Sequence, residues 1–276
     1  MNIQFLGTCA AEGIPALWCN CDNCRRSREI GGRAVRSRSQ ALVDGKLLID
    51  FPADTYWHLM KNNIDLLDVR HCLITHSHSD HLYPQDLKMI IPGYAHLPEG
   101  YVFNVYGSAK MYEKAEAIVA PIADKHGVIK FTEIGVFSPV KVGDYTVTAL
   151  PSVHDPKAGP QFYMIKGEKN LLYAHDTHFF SDEVWEYLER AHPHFDLVSM
   201  DCTNACTPMT YVGHMSLEEN AKIKERMISM GVADEKTVFV CNHFSHNGLN
   251  VVYEDFVPIA AREGFLVSYD GMSIEF

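Results

Sequence analysis

Short apolar runs rich in β-favouring residues recur along the chain, most of them closed by a turn residue or a polar cluster. Residues 2–7, 69–75, 101–106, 128–131, 145–150, 195–201, 237–241, 265–268 and 272–276 read as strands. Residues 40–50 form a hairpin about Asp44-Gly45, and residues 161–165 and 171–174 form another about Gly167 to Asn170. Helical periodicity is expected over residues 53–63, with Tyr56, Leu59 and Met60 on one face and His58 on the surface. Further helices are expected at 85–91, after Pro84 and before Pro92-Gly93, and at 108–125 with an interruption at Pro121. Ser181 caps a helix at 181–191, and Ser216 with Glu219 three residues later forms a capping box that opens another. No Pro/Gly/Ser-rich linker and no repeat divides the chain. The pattern predicts an α/β fold over residues 1–276 as a single domain, two sheets packed face to face with helices outside.

Composition narrows the setting. With 276 residues, 47% of them hydrophobic, a full core can be buried. A net charge of -11 argues against a surface that grips nucleic acid, though not against a small anion held by metal. There is no basic, then apolar, leader, and no apolar run of the ~18–20 residues that a membrane span needs. A soluble, cytoplasmic protein is expected, with its eight cysteines as thiols or metal ligands.

The candidate chemistry lies at strand ends. Strand 69–75 runs into Thr75-His76-Ser77-His78-Ser79-Asp80-His81. His76 and His78, two apart, share a side in an extended segment, while Asp80 and His81 diverge once the chain turns. Two metals are the simplest reading, and these four groups are too few for both, so further ligands must follow. His154 lies past strand 145–150, Asp176 past 171–174, and His243 and His246 past 237–241. A carboxylate can bridge two cations ~3.5–4 Å apart, and Asp176 is assigned that place, with His175 and His178 as supporting or surface residues. His214 precedes the capping box and is free to face a cleft. Cys19, Cys21 and Cys24 can chelate one zinc in a knuckle at 19–24, with a fourth ligand from elsewhere. The alternative is reduced thiols in a loop; a redox pair is disfavoured because no strand–helix context is expected around the motif. Arginines 25, 26, 28, 33, 36 and 38 read as a solvated loop, or more sharply as a phosphate-steering patch. No role is assigned to Asp201-Cys202-Thr203.

The set His76-x-His78-x-Asp80-His81, His154, Asp176 and His243, in that order and each after an expected strand, resembles the metallo-β-lactamase superfamily. The resemblance covers almost the whole chain. It implies an αββα sandwich with His76, His78 and His154 on one metal and Asp80, His81 and His243 on the other. Asp176 and a hydroxide would bridge the two. Cys19-x-Cys21-x-x-Cys24 together with His243-x-x-His246 resembles the PhnP-type phosphodiesterases, in which such a histidine completes a structural zinc; His246 is then the fourth ligand. The pyrroloquinoline quinone B protein shares the cysteine pattern, but its histidine loop is degraded and this one is intact. Many members carry Gly where this chain has Pro84, which alters the exit of the loop rather than its ligands.

The resemblance implies a hydrolase with two catalytic divalent metals (manganese, zinc or iron) and one structural zinc. Asp80 and Asp176 would act with His214, which resembles the general acid of ribonuclease Z-like and PhnP-like enzymes. An exported β-lactamase is disfavoured by the absence of a leader. A glyoxalase II-type thioesterase carries a helical extension, whereas only 33 residues follow His243 here. A tRNA-processing arm is commonly inserted between the third histidine and the bridging aspartate, where this chain has 21 residues. A small phosphodiester, such as a cyclic ribose phosphate, is therefore the expected substrate. The alternatives are a lactonase or other ester or thioester hydrolase, and a non-catalytic metal-binding accessory protein. Relatives often form homodimers.

Overall fold

The computed structural model describes residues 1–207 and 212–276. The first sheet contains β1 (Asn2–Gly7), β2 (Gln40–Val43), β3 (Leu47–Ile49), β4 (His71–Leu73), β5 (Phe103–Gly107) and β6 (Ile129–Glu133). The second contains β7 (Val140–Val142), β8 (Tyr145–Pro151), β9 (Gln161–Lys166), β10 (Asn170–Ala174), β11 (Leu197–Asp201), β12 (Val238–Asn242) and β13 (Leu266–Val267). The last strand, β14 (Met272–Glu275), returns to the first sheet beside β1. The sheet orders are β14-β1-β2-β3-β4-β5-β6 and β13-β12-β11-β10-β9-β8-β7. Each is antiparallel on one side and parallel on the other: β3 to β6 run parallel, as do β10 to β13.

Strand periodicity decides which side chains meet. Ala41, Val43, Leu47 and Ile49 point inward and pack on Val147, Ile165, Tyr173 and Val240 of the facing sheet. Leu42, Leu48 and Cys72 point outward, under helix α3 (Ala109–His126) with its buried stripe Met111, Ala115, Val119 and Ile122. On the other outer face α4 (Asp182–Ala191), α5 (Leu217–Ser229) and α6 (Tyr253–Arg262) bury Trp185, Ile223 and Phe256 against β10 to β13. The four layers are the αββα sandwich that the pattern predicted.

Local signals held unevenly. The capping box at Ser216 and Glu219 forms as expected, and Ser181 occupies its N-cap position without a side-chain bond. Pro121 does not interrupt α3, whose apolar stripe continues past it and is anchored on the sheet. Residues 85–91 form a short 3-10 turn, Asp86–Ile90, in place of an α-helix. Helix α2 (Thr55–Asn62) turns the opposite face to that expected: His58 is buried, while Tyr56, Trp57 and Met60 are exposed. His58 is satisfied in the interior because Gln40 Oε1 (2.6 Å) and Ser37 Oγ (2.7 Å) take both ring nitrogens. The arginine-rich stretch is not a loop. It contains helix α1 (Asp22–Ile30), capped by Cys21, whose sulfur accepts from the Cys24 amide. Its arginines do not form a shared patch: Arg26 pairs with Asp255, Arg38 with Asp54, and Arg36 is buried over the Phe244 ring.

Candidate dinuclear metal site

Strands β4, β8, β10, β11 and β12 all deliver their carboxyl ends to one edge of the sandwich, where ligands bind in α/β sheets. At or past those ends stand His76, His78, Asp80 and His81; then His154; Asp176; Asp201, the last residue of β11; and His243. Asp176 and His243 hold left-handed backbone angles, φ 50° and 62°, as does Asp50 past β3 at 68°. Such angles are costly for residues other than glycine and cluster where function requires them. Each of these residues lies one or two positions past a strand end, and its own side chain reaches the edge.

The imidazoles are oriented by their outer nitrogens. His81 Nδ1–H donates to Asp50 (2.7 Å), His243 Nδ1–H to Thr203 Oγ1 (2.9 Å), His154 Nδ1–H to the Gly213 carbonyl (3.1 Å) and His76 Nδ1–H to Thr75 Oγ1 (3.1 Å). Each therefore turns Nε2 inward, where the neutral ring presents a lone pair. His78 is reversed: Nε2 faces Asp155 (3.4 Å), so Nδ1 points inward. His78 Nδ1 lies 2.9 Å from His76 Nε2 and 3.3 Å from His154 Nε2. Three lone pairs brought that close repel one another unless a cation lies among them.

A second group meets at Asp176. Its Oδ2 lies 3.1 Å from His81 Nε2 and 3.0 Å from His243 Nε2, and Asp80 Oδ2 lies 3.2 Å from the same His81 nitrogen. His81 Nε2, His243 Nε2 and Asp176 Oδ2 are buried and make no hydrogen bond. Orphaned buried polar atoms of this kind are rare and need a partner. Burial opposes charge on Asp176, yet His243 and His81 hold its carboxyl well below the usual range. Burial also holds His76 and His154 below the ordinary histidine range, in the neutral form a metal requires. Around His81, burial is outweighed by Asp176, Asp50 and Asp80, which raise its pKa well above normal. Four buried acidic side chains (Asp50, Asp80, Asp176 and Asp201) thus converge on the imidazoles, and the three orphaned atoms among them are placed as donors to bound cations would be. The donor set fits divalent metals of the zinc, manganese and iron kind.

A cavity of about 330 Å³ opens over the cluster and is lined by His78, Asp80, His154, Asp176, His243 and His214 among others. His214 donates Nδ1–H to the buried Asp201 carboxylate (2.8 Å), and its ring lies 4.9 Å from that of His154. Burial disfavours a charged His214, but Asp201 more than offsets this and raises the pKa to about 9. An acid works below its pKa, so His214 keeps its proton through neutral pH. In Asp201→Asn the charge is lost and the pKa should fall from about 9 to 6.5 or below. The alkaline limb of kcat on an alkyl diester should move toward acid by the same interval. A pH profile with an unmoved limb would show that Asp201 does not govern His214.

The cysteine knuckle closes with His246. Cys19 Sγ and Cys21 Sγ stand 3.4 and 3.5 Å from His246 Nδ1, and the ligand atoms of Cys19, Cys21, Cys24 and His246 lie within 4.8 Å of one another. Cys24 sits in the first turn of α1, so a helix does flank the motif. Turns rather than a strand precede it, so the strand–helix context of a redox pair is absent, and the four-donor cage suits zinc.

His175 is not a surface residue. It is buried behind Asp176 and bonded to Ser199 Oγ (2.7 Å). His178 is half-buried, its amide donating to the Val153 carbonyl (2.9 Å). Sequence reasoning missed Asp50, Asp201 and Thr203 as residues that orient imidazoles. Their one signal resembles the signal that exposed Asp176, a polar residue at or within two positions of the end of a buried apolar strand.

Residues 50–239 match the beta-lactamase superfamily domain, and the chain belongs to that family. It has the metallo-β-lactamase fold, which hydrolases share. Zn(2+)-bound PqqB from Methylobacterium extorquens superposes with a TM-score of 0.76 at 17% identity, all of each chain being covered. A diphosphatase from the PhnP family superposes with a TM-score of 0.76 at 19% identity, over 100% of this chain and 97% of that one. Both are likenesses of fold. Ribonuclease Z of Prochlorococcus marinus (strain AS9601) is 30% identical over 111 residues, 40% of this chain and 30% of that protein. The chain thus spans less than a third of that curated relative's length. Among the described residues no helix is long and apolar enough to cross a membrane.

Proposed function

We propose that the protein is a metal-dependent phosphodiesterase acting on a small diester, such as a cyclic ribose phosphate. The observation that carries this reading is His214, held by buried Asp201 on the wall of the same cavity as the His/Asp cluster. Such an acid serves a reaction that expels a poor leaving group, as an alkoxide leaving phosphorus is. His76, His78 and His154 would hold one cation, Asp80, His81 and His243 a second, and Asp176 would bridge them. When bound, the pair would supply an acidified water and neutralise charge on the phosphoryl group.

The chain's own residues do the rest. Asp50 and Thr203 fix His81 and His243 in the tautomers that face inward. Asp80 and Asp176 bring the negative charge that keeps the cations in place. Asp201 keeps a proton on His214 for the departing oxygen. The PhnP-family likeness in fold and the ribonuclease Z match in sequence both favour phosphorus over carbon as the centre attacked. A structural zinc at Cys19, Cys21, Cys24 and His246 completes the assignment. A lactone or thioester hydrolase could use the same ligands but has less need of the acid.

His214→Ala tests the reading. kcat/KM on an alkyl phosphodiester should fall by about 10²–10⁴-fold, and far less on a p-nitrophenyl diester, whose leaving group needs no proton. Equal losses on both would remove His214 from the role of acid.

A further inference from the structure

The cavity over the cluster has one acidic wall outside the candidate ligand set. Glu12 lines it, opposite no ligating role, on the loop after β1. That loop is tied down: the Ala10 amide donates to the Phe244 carbonyl (2.9 Å), and Ile14 exchanges backbone bonds with Arg36 (2.9 and 2.7 Å). The Glu12 side chain is fixed at one oxygen only. Oε1 accepts from the Ser245 hydroxyl and lies 3.7 Å from His246 Nε2, whose other ring nitrogen faces the cysteines. Ser245 is itself buried and held by its amide on the Thr203 carbonyl (3.1 Å). Oε2 has no partner among the described residues. The result is a hydrogen-bond acceptor on a rigid mount, in the cavity that would receive a substrate.

We infer that Glu12 is a specificity-determining residue, binding a hydroxyl group on the part of the substrate that lies beyond the phosphorus. The inference rests on the phosphodiesterase reading and extends it to substrate choice. A carboxylate oxygen accepts from a hydroxyl with a charge-assisted bond, and once a substrate has displaced water from the cavity an acceptor left without a donor is costly. That asymmetry lets a site built for a hydroxyl reject an analogue that lacks one. An ammonium group would satisfy Glu12 equally, but two divalent cations in the same small cavity would repel it. A second phosphate at that position would be repelled by Glu12 itself. The substrate class is therefore a phosphodiester monoanion with a neutral, hydroxylated substituent.

The test uses two esters that differ only in hydroxyl groups, glyceryl p-nitrophenyl phosphate and propyl p-nitrophenyl phosphate, on metal-loaded wild type and Glu12→Gln. Glutamine keeps an Oε1 for Ser245 and places an amide NH₂ where the free acceptor was. Wild type should prefer the glyceryl ester by about tenfold or more in kcat/KM, and Glu12→Gln should shrink that preference several-fold, because its amide can offer the hydroxyl only a neutral bond. Metal content is measured on both proteins, so that loss of zinc through His246 is seen as such. The same ratio of kcat/KM in both proteins, or no preference in wild type, overturns the inference while leaving the phosphodiesterase reading intact. Wild type that cleaves neither ester contradicts the phosphodiesterase reading itself.

Discussion

Asp176→Ala should abolish phosphodiester turnover, with kcat/KM falling by at least about a thousandfold, and should leave the protein short of catalytic metal. Asp176 Oδ2 is within 3.1 Å of His81 Nε2 and 3.0 Å of His243 Nε2, and its Oδ1 lies 3.8 Å from His154 Nε2. The carboxylate thus touches residues of both proposed metal positions. Its removal would leave buried imidazole lone pairs facing one another with less negative charge to hold a cation. Atomic absorption and a bis(p-nitrophenyl) phosphate assay read the two effects separately. Asp176→Ala with both metals and wild-type turnover would contradict the bridging assignment. The fold should survive, because the backbone bonds of the turn remain: the Asp176 amide donates to Asp201 (3.1 Å) and its carbonyl accepts from Ser152.

Cys24→Ser should cost one zinc per chain and about 4 kcal/mol or more of stability, since loss of a structural metal belongs to the few mechanisms with effects that large. For a chain of this size the melting temperature should fall by roughly 10 °C. Cys24 is fully buried, accepts from the Ala16 amide (3.3 Å) and shares the cage with His246, three residues past His243. The cage therefore fastens the β1 loop and the start of α1 to the end of β12. Because Glu12 and Ser245 lie between the cage and the cavity, turnover should fall as well, though less than in Asp176→Ala. A variant with full zinc content and an unchanged melting temperature would make the cysteines ordinary thiols.

What the sequence disclosed and what it hid follow from the range of each interaction. Ligands past strand ends were legible because an apolar run followed abruptly by His or Asp is a local pattern. The capping box of α5 is equally local. Asp50, Asp201 and Thr203 were opaque because each acts across the fold: Asp50 reaches His81 thirty-one positions on, and Thr203 reaches His243 forty positions on. Helix α1 read as a loop because its buried face is only Cys24 and Ser27, with charge all round. Helix α6 was missed behind Pro258, although Phe256 and Ala260 are buried on its inner face. In α2 the apolar residues suggested the wrong face, since His58 finds both its partners on β2 and the segment before it. Strand β7, three residues long, offers too little periodicity to read.

The edge cluster is proposed above as a metal-dependent phosphodiesterase site. The decisive assay is bis(p-nitrophenyl) phosphate hydrolysis on protein reconstituted with manganese or zinc, before and after chelation. Turnover that disappears with the chelator and returns with added metal is the predicted result. Protein with its metals bound that cleaves lactones or thioesters but no phosphodiester would contradict it, and metal-loaded protein inert toward all three would point to an accessory, non-catalytic role.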